Sequence, residues 1–356
     1  MIPIYKTYLN SKILSYAHDA LDSGWISSHG KYKKLASDML CEVTNTKYSY
    51  LTCNGTSACH LMARAISKFH NKRRTVAVLN NCYVAAWNTF LYEDHFKLIP
   101  VEPDEQTWNM PVRKYNEDII YVVHNLGNIV NVPELKRLNP DSIIIEDACE
   151  AMFGEYEDNP AGSLSTCSTF SFFGNKNISS GEGGAVVTNN EEIYKYVKHL
   201  AEQAQTEETF LHDELAYNYR MSNPHAAILY GQLQHYDVIL KEKQRIFELY
   251  DNLLDGFESQ VTETNTKHSC WMYGVKFKTR EDQGRAKSVL ASEKIEIRPM
   301  FLPMNKHPHL KHMRVKSNIA TKLNEVCLVL PSYPSLKEEE IKFICSLVKK
   351  ESYGKT

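Results

Sequence analysis

Five short apolar runs most constrain the fold: TVAVLN (75–80), IIYVVH (119–124), SIIIED (142–147), STFSFF (168–173) and GAVVTN (184–189). Their β-branched residues follow one another without the polar alternation of a half-exposed strand, so both faces of each strand must be covered. This predicts an α/β fold with a mostly parallel central sheet buried between helices. Polar or ionisable residues stand at or just beyond the ends of three runs: Asn81, His124 and Asp147. Open α/β sheets bind ligands at that carboxyl edge.

Helical periodicity fills the spaces between. Ala58, Leu61, Met62, Ala65, Ile66 and Phe69 fall on one face of a helix over 56–69, with Asn54-Gly55-Thr56 placed to cap it. Residues 224–254 read as one long helix, capped by Ser222 or Asn223, with Pro224 in its first turn and Gly256 past its end. At 356 residues the chain is too long for one ordinary core. The expected division is a large domain over 1–240 and a smaller C-terminal α/β domain over 241–356. The second would hold strands near 270–277 and 295–301, then a helix capped by Ser335 and Glu338.

Charge and cysteine usage narrow the function classes. A net charge of −2 lacks the basic excess of a nucleic-acid binder. The nine cysteines form no C-x-x-C pair, which suits reduced thiols in an intracellular chain better than a disulfide framework or zinc knuckle. No apolar stretch reaches the ~20 residues of a membrane span, and MIPIYKTYLN lacks a signal-peptide core. A cytoplasmic protein without a metal, membrane or nucleic-acid partner is expected.

Four motifs can carry chemistry. N-G-T-S-A (54–58) opens a helix whose first N–H groups are unpaired, a ready phosphate site as well as a plain cap. E-D-A-C-E-A (146–151) puts Asp147 at the end of an apolar strand, where a carboxylate needs a cation or a capping role. F-S-F-F-G-N-K (170–176) sets Lys176 beside a buried aromatic strand. Desolvation there would free its amine for imine formation, whereas an exposed loop lysine would do nothing. S-S-G-E-G-G (179–184) fits no nucleotide fingerprint and reads as a tight turn shaping the backbone around Lys176.

In this order and spacing, ending in N-Y-R-M, these motifs resemble the DegT/StrS-type family of sugar aminotransferases. The likeness runs from S-G-W-I-S (23–27) to L-P-S-Y-P (330–334). It implies the fold-type I architecture of PLP-dependent transferases, with pyridoxal 5'-phosphate (PLP) as cofactor and pyridoxamine phosphate as its aminated form. By resemblance Lys176 is the lysine that binds PLP covalently, and Asp147 keeps the pyridine nitrogen protonated. Tyr83 stacks on the ring, and Gly55, Thr56 and Ser171 hold the phosphate. Asn218 reaches the phosphate of a neighbouring subunit, which implies a homodimer with shared active sites. Glu150 lies near the ring hydroxyl. Tyr5, Arg220, Arg298 and Met300 fall in segments that line the substrate pocket, and His124 is expected to be structural, buried beside the cofactor. Cys82, Asn80-Asn81 and Met304-Asn305 depart from the family's commoner residues, the last pair near the substrate.

The run G-N-K-N-I-S-S-G-E-G-G is most similar to 4-aminotransferases that make viosamine or perosamine. The expected reaction moves an amino group from L-glutamate, leaving 2-oxoglutarate, to C4 of a dTDP- or UDP-linked 4-keto-6-deoxyglucose, giving viosamine. A GDP-linked 4-keto sugar and a 3-keto sugar remain open as acceptors. A non-catalytic homologue would not need Lys176 and Asp147 together, and the family's dehydratase branch has histidine where Lys176 stands.

Overall fold

The computed structural model describes residues 1–313, 315 and 317–352. Seven strands build the central sheet: β1 (Tyr48–Thr52), β2 (Thr75–Leu79), β3 (Lys97–Val101), β4 (Ile119–Val123), β5 (Ile143–Asp147), β6 (Ser168–Ser171) and β7 (Gly184–Thr188). Their spatial order is β1-β7-β6-β5-β4-β2-β3. β3, β2, β4, β5 and β6 run parallel to one another, whereas β7 is antiparallel to both β6 and β1. The apolar runs of the sequence are five of these strands. β1 and β3 escaped notice because Tyr48, Ser49 and Pro100 interrupt the apolar pattern. Every residue of β4 is buried, as its unbroken Ile-Ile-Tyr-Val-Val requires.

The helix Gly55–Phe69 follows β1, and Asn54 caps it by accepting the Ser57 N–H at 2.8 Å. Its expected apolar face is buried except for Phe69, which is 39% exposed beyond the end of the sheet. The expected long helix over 224–254 is two helices, Asn223–Leu233 and Tyr236–Leu253, broken at Gln234-His235. Packing decides the break. The first helix lies so close to helix Ser11–Asp22 that a Cβ on Gly231 would stand 3.0 Å from the Cα of Ile13. The second helix sends Ile246 and Tyr250 into a separate core.

That second core covers a three-stranded antiparallel sheet of Tyr273–Lys276, Cys327–Leu330 and Arg298–Pro299, in that order. Helices Arg280–Ser292 and Glu338–Ser352 pack on it. The last helix starts at Glu338 and not just after Ser335. Glu340, rather than Glu338, reaches back, its Oε2 accepting the Lys337 N–H at 2.9 Å. The N-terminal segment joins this core too, with Ile2 bridged to Ile295, while Met304 and Leu310 return to the first core. All nine cysteines are free thiols. Among the described residues no helix is long and apolar enough to cross a membrane.

Candidate active site

β4, β5 and β6 end side by side, with Val123 paired to Asp147 and Asp147 to Thr169. The register therefore brings His124, Asp147 and Ser171 to one edge of the sheet. Asp147 is 7% exposed. Its Oδ1 accepts the Cys149 N–H at 3.0 Å and its Oδ2 the Tyr121 hydroxyl at 3.3 Å. Neither partner is a cation.

Glu150 lies on the turn after β5, also buried. Its Oε2 accepts the Leu126 N–H at 2.8 Å, and its Oε1 stands 3.8 Å from the Nζ of Lys176. Burial pushes its carboxyl up to about 7; the Lys176 amine and the Leu126 N–H oppose that rise, and the charge of Asp147 adds to it. Two neighbouring carboxylates are thus buried here, and only Glu150 has an amine beside it. A protonated pyridine nitrogen would supply the missing positive charge, so the pocket's electrostatics fit PLP.

The phosphate end fits as well. Gly55 packs against Ser171 so closely that a Cβ would lie 2.8 Å from the Ser171 Cβ, and a Cβ on Gly184 would lie 2.5 Å from the Asn54 carbonyl oxygen. Only glycines let the helix start press onto the ends of β6 and β7. The first N–H groups of the helix, at Gly55 and Thr56, have no residue one turn back to accept them. They lie beside the Ser171 hydroxyl, a cradle suited to a phosphate.

Lys176 sits on the loop after β6. The 179–184 turn folds back over that loop: Ser180 N–H donates to Phe172 O at 2.9 Å, and Phe172 N–H to Gly183 O at 2.8 Å. Gly183 adopts φ +149°, where a side chain would strike Met221 and Ser180. The remaining restraints come from distant parts of the chain. The Tyr5 hydroxyl donates to the carbonyl of Lys176, the Thr7 hydroxyl to that of Gly174 at 2.9 Å, and the Trp271 indole N–H to that of Asn175 at 2.8 Å. The Lys176 Nζ lies 4.1 Å from the centroid of the Trp271 ring.

The other expected site residues fall into two groups. Tyr83 stands at the end of β2, 60% exposed, with the Phe301 ring 6.4 Å away. Asn218 and Arg220 lie on an outer strand-like segment joined to β1 through a Thr52–Arg220 bridge, and Arg220 Nε donates to Asn218 Oδ1 at 2.9 Å. The alternate residues Tyr217 and Tyr219 stack on each other, their hydroxyls meeting Arg64 and His60 at 3.1 and 3.2 Å. Alternation thus leaves Asn218 on the outward side. Arg298 is exposed and paired with Glu296. Met300, expected on the substrate pocket, is instead 1% exposed in a cluster with Trp108, Leu126 and Trp271. Tyr5, expected to meet substrate, spends its hydroxyl on the lysine loop. His124 is fully buried, its Nδ1 accepting the Val130 N–H at 3.1 Å and its Nε2 facing Glu146 at 3.1 Å, the contacts of a structural residue.

Cys59, Asp147 and Cys149 hold potential ligand atoms within 4.8 Å of one another. Contact with Cys59, together with burial, holds the Cys149 thiol protonated, the form that does not ligate a cation. Sequence reasoning passed over Tyr121, Thr7 and Trp271. Nothing local marks them, since each acts on a residue far away in the chain.

The profile of the DegT/DnrJ/EryC1/StrS aminotransferase family matches residues 7–349. The chain belongs to this family. Its similar relatives include the GDP-perosamine synthases of Escherichia coli O157:H7 and Vibrio cholerae. The first is 32% identical over 98% of this chain and 97% of the relative. The second is 33% identical over 98% of each. In fold the chain is similar to Helicobacter pylori PseC, an aminotransferase involved in pseudoaminic acid biosynthesis, with a TM-score of 0.91 and 20% identity over 98% of each chain. The architecture is fold type I, as the sequence motifs implied. As a family member the chain is a PLP-dependent sugar aminotransferase.

Proposed function

We propose that this enzyme moves the amino group of L-glutamate to C4 of a GDP-linked 4-keto-6-deoxy sugar, giving a perosamine-type product. The observation that carries the reaction is a half-buried Lys176 amine 3.8 Å from the buried Glu150 carboxylate, at the sheet edge where the buried Asp147 ends its strand. What favours GDP over the dTDP or UDP of the viosamine reading is the likeness to two GDP-perosamine synthases over 98% of the chain.

Bound, PLP supplies an aldehyde that captures amines and a ring that withdraws electrons from the carbon being deprotonated. The rest falls to side chains. Lys176 Nζ takes a proton from the α-carbon of glutamate and, in the second half-reaction, delivers one to C4 of the sugar. Asp147, whose carboxylate already accepts from Tyr121 and Cys149, would hold a proton on the ring nitrogen. Glu150 faces Lys176 from across the site and takes or releases a proton near neutrality. Gly55, Thr56 and Ser171 would hold the phosphate, and Tyr83 would cover the ring. Arg220 and Arg298 are the remaining candidates for the sugar nucleotide, since both guanidinium groups are open to solvent.

Asn218 completes the phosphate site of a second copy. Its outward position supports this reading, as do Phe210 and Leu215, which are 88% and 80% exposed on the same segment. The active unit is then a homodimer with shared sites.

The purified protein, supplied with PLP, is titrated with L-glutamate while its visible absorbance is followed. It is then offered GDP- and dTDP-linked 4-keto-6-deoxy sugars, and the products are read by NMR. Loss of the visible band with glutamate, in wild type and not in Lys176→Ala, is expected, with a C4-amino product from the GDP sugar. Normal turnover by Lys176→Ala would overturn the site. Turnover of only the dTDP sugar would restore the viosamine reading.

A further inference from the structure

Lys243 is a fully buried lysine on helix Tyr236–Leu253, outside the motifs that carry the chemistry. Its ammonium meets three oxygens: Trp271 O at 2.6 Å, Ser332 O at 2.5 Å and Ser332 Oγ at 2.6 Å. Three acceptors match the three N–H donors of the charged form. The Tyr5 ring lies 6.0 Å away, and the Ser332 N–H donates to Ile4 O at 3.3 Å. Lys243 therefore ties the chain at residue 271 to that at 332, and 332 to the segment before Tyr5. Two of the segments it gathers then reach the lysine loop. Trp271 holds the Asn175 carbonyl and puts its ring 4.1 Å from Lys176 Nζ, and Tyr5 holds the Lys176 carbonyl.

A buried lysine is costly unless its charge does something that an apolar residue cannot. Packing alone would be served by methionine. Among the described residues it has no carboxylate partner: Cys270, His268 and Tyr5 are its titratable neighbours, and burial pushes the Lys243 amine down to about 7 and His268 down to about 3. What the amine supplies is a fixed point for the segments at 271 and 332, just past the Tyr273–Leu330 end of their strand pair, and through the Ser332 N–H for the segment at Ile4.

We propose that Lys243 is a positioning residue for Lys176, holding the Trp271 indole face against the reactive amine and the Tyr5 hydroxyl against its carbonyl. This rests on Lys176 being the PLP lysine. An indole face favours positive charge on the nitrogen above it. Loosening Trp271 withdraws that support, while Glu150, 3.8 Å from the amine, and the neighbouring Asp147 carboxylate stay in place.

The experiment is a pH titration of the visible absorbance of the PLP-loaded enzyme, run on wild type, Lys176→Ala and Lys243→Met. Wild type should titrate and Lys176→Ala should not; if the two are alike, the Lys176 assignment falls and this inference with it. Given that difference, Lys243→Met is expected to move the midpoint down by roughly half a pH unit, with kcat reduced more than the KM for glutamate is raised. A purely structural lysine would lower Tm and leave the midpoint where it is, and that result would overturn the proposal. If Lys243→Met does not fold, Ser332→Ala replaces it. That variant removes one of three acceptors, and a smaller downward shift is expected; an unmoved midpoint overturns the proposal in the same way.

Discussion

At the scale of single residues, Glu150 sets a measurable pH dependence. Its carboxyl has an ordinary value of 4.5 and is pushed up to about 7 in the fold, chiefly by burial. Between those values the folded chain holds a proton that the unfolded chain has released. Stability therefore falls as pH rises through that window and stays lower above it. Glu150→Gln keeps an acceptor for the Leu126 N–H and removes the titration. In the cofactor-free protein it is expected to raise stability at about pH 8 by roughly 2–3 kcal/mol, and hardly at all near pH 5. Thermal melts at the two pH values check this, and an equal gain at both would show that burial of the charge is not the cause. Asp147→Asn tests the neighbouring carboxylate. Without a negative charge opposite the ring nitrogen, kcat should fall by roughly 10²–10³-fold while the melting curve hardly moves. Asp147 was legible in the sequence because a carboxylate closing an Ile-Ile-Ile-Glu strand demands a reason. Tyr121, which donates to it, was not, since a tyrosine inside an apolar strand reads as core.

At the scale of elements, the join between helix Gly55–Phe69 and the ends of β6 and β7 makes the phosphate cradle. Gly55→Ala puts a methyl group 2.8 Å from the Ser171 Cβ. Overpacking of this kind costs about 1–3 kcal/mol. Spent at the cradle, it should weaken PLP retention roughly tenfold or more, measured by cofactor release on dialysis. A variant that keeps PLP as wild type does would show that the helix start is not the phosphate seat. Strand and helix periodicity made the elements of the large core readable. It misjudged where helices stop. The break at Gln234-His235 answers to two different cores on either side, and the start at Glu338 to the return of Glu340, neither of which periodicity encodes.

At the scale of the whole molecule, the exposed Phe210 and Leu215 precede Asn218 on the same segment and predict a second copy there. Light scattering of the wild type should give twice the mass of the chain. Leu215→Asp should shift the protein toward monomer and lower its PLP affinity in parallel, because Asn218 then no longer reaches a partner's phosphate. A monomeric wild type that binds PLP tightly would remove the shared site. The sequence by itself determined the parallel sheet, written in unbroken apolar runs. It proposed Asp147, Lys176 and the Gly55 turn as site residues through the order and spacing of their motifs, which carry the family resemblance, since each motif alone has a plain structural reading. Only the tertiary structure decided that Met300 is core, that Tyr5 grips the lysine loop, and that Trp271 and Lys243 stand behind Lys176. Those contacts join residues 96 and 171 positions apart. Over such separations the partner is chosen by how the two cores close on each other, and no local signal in the chain records it.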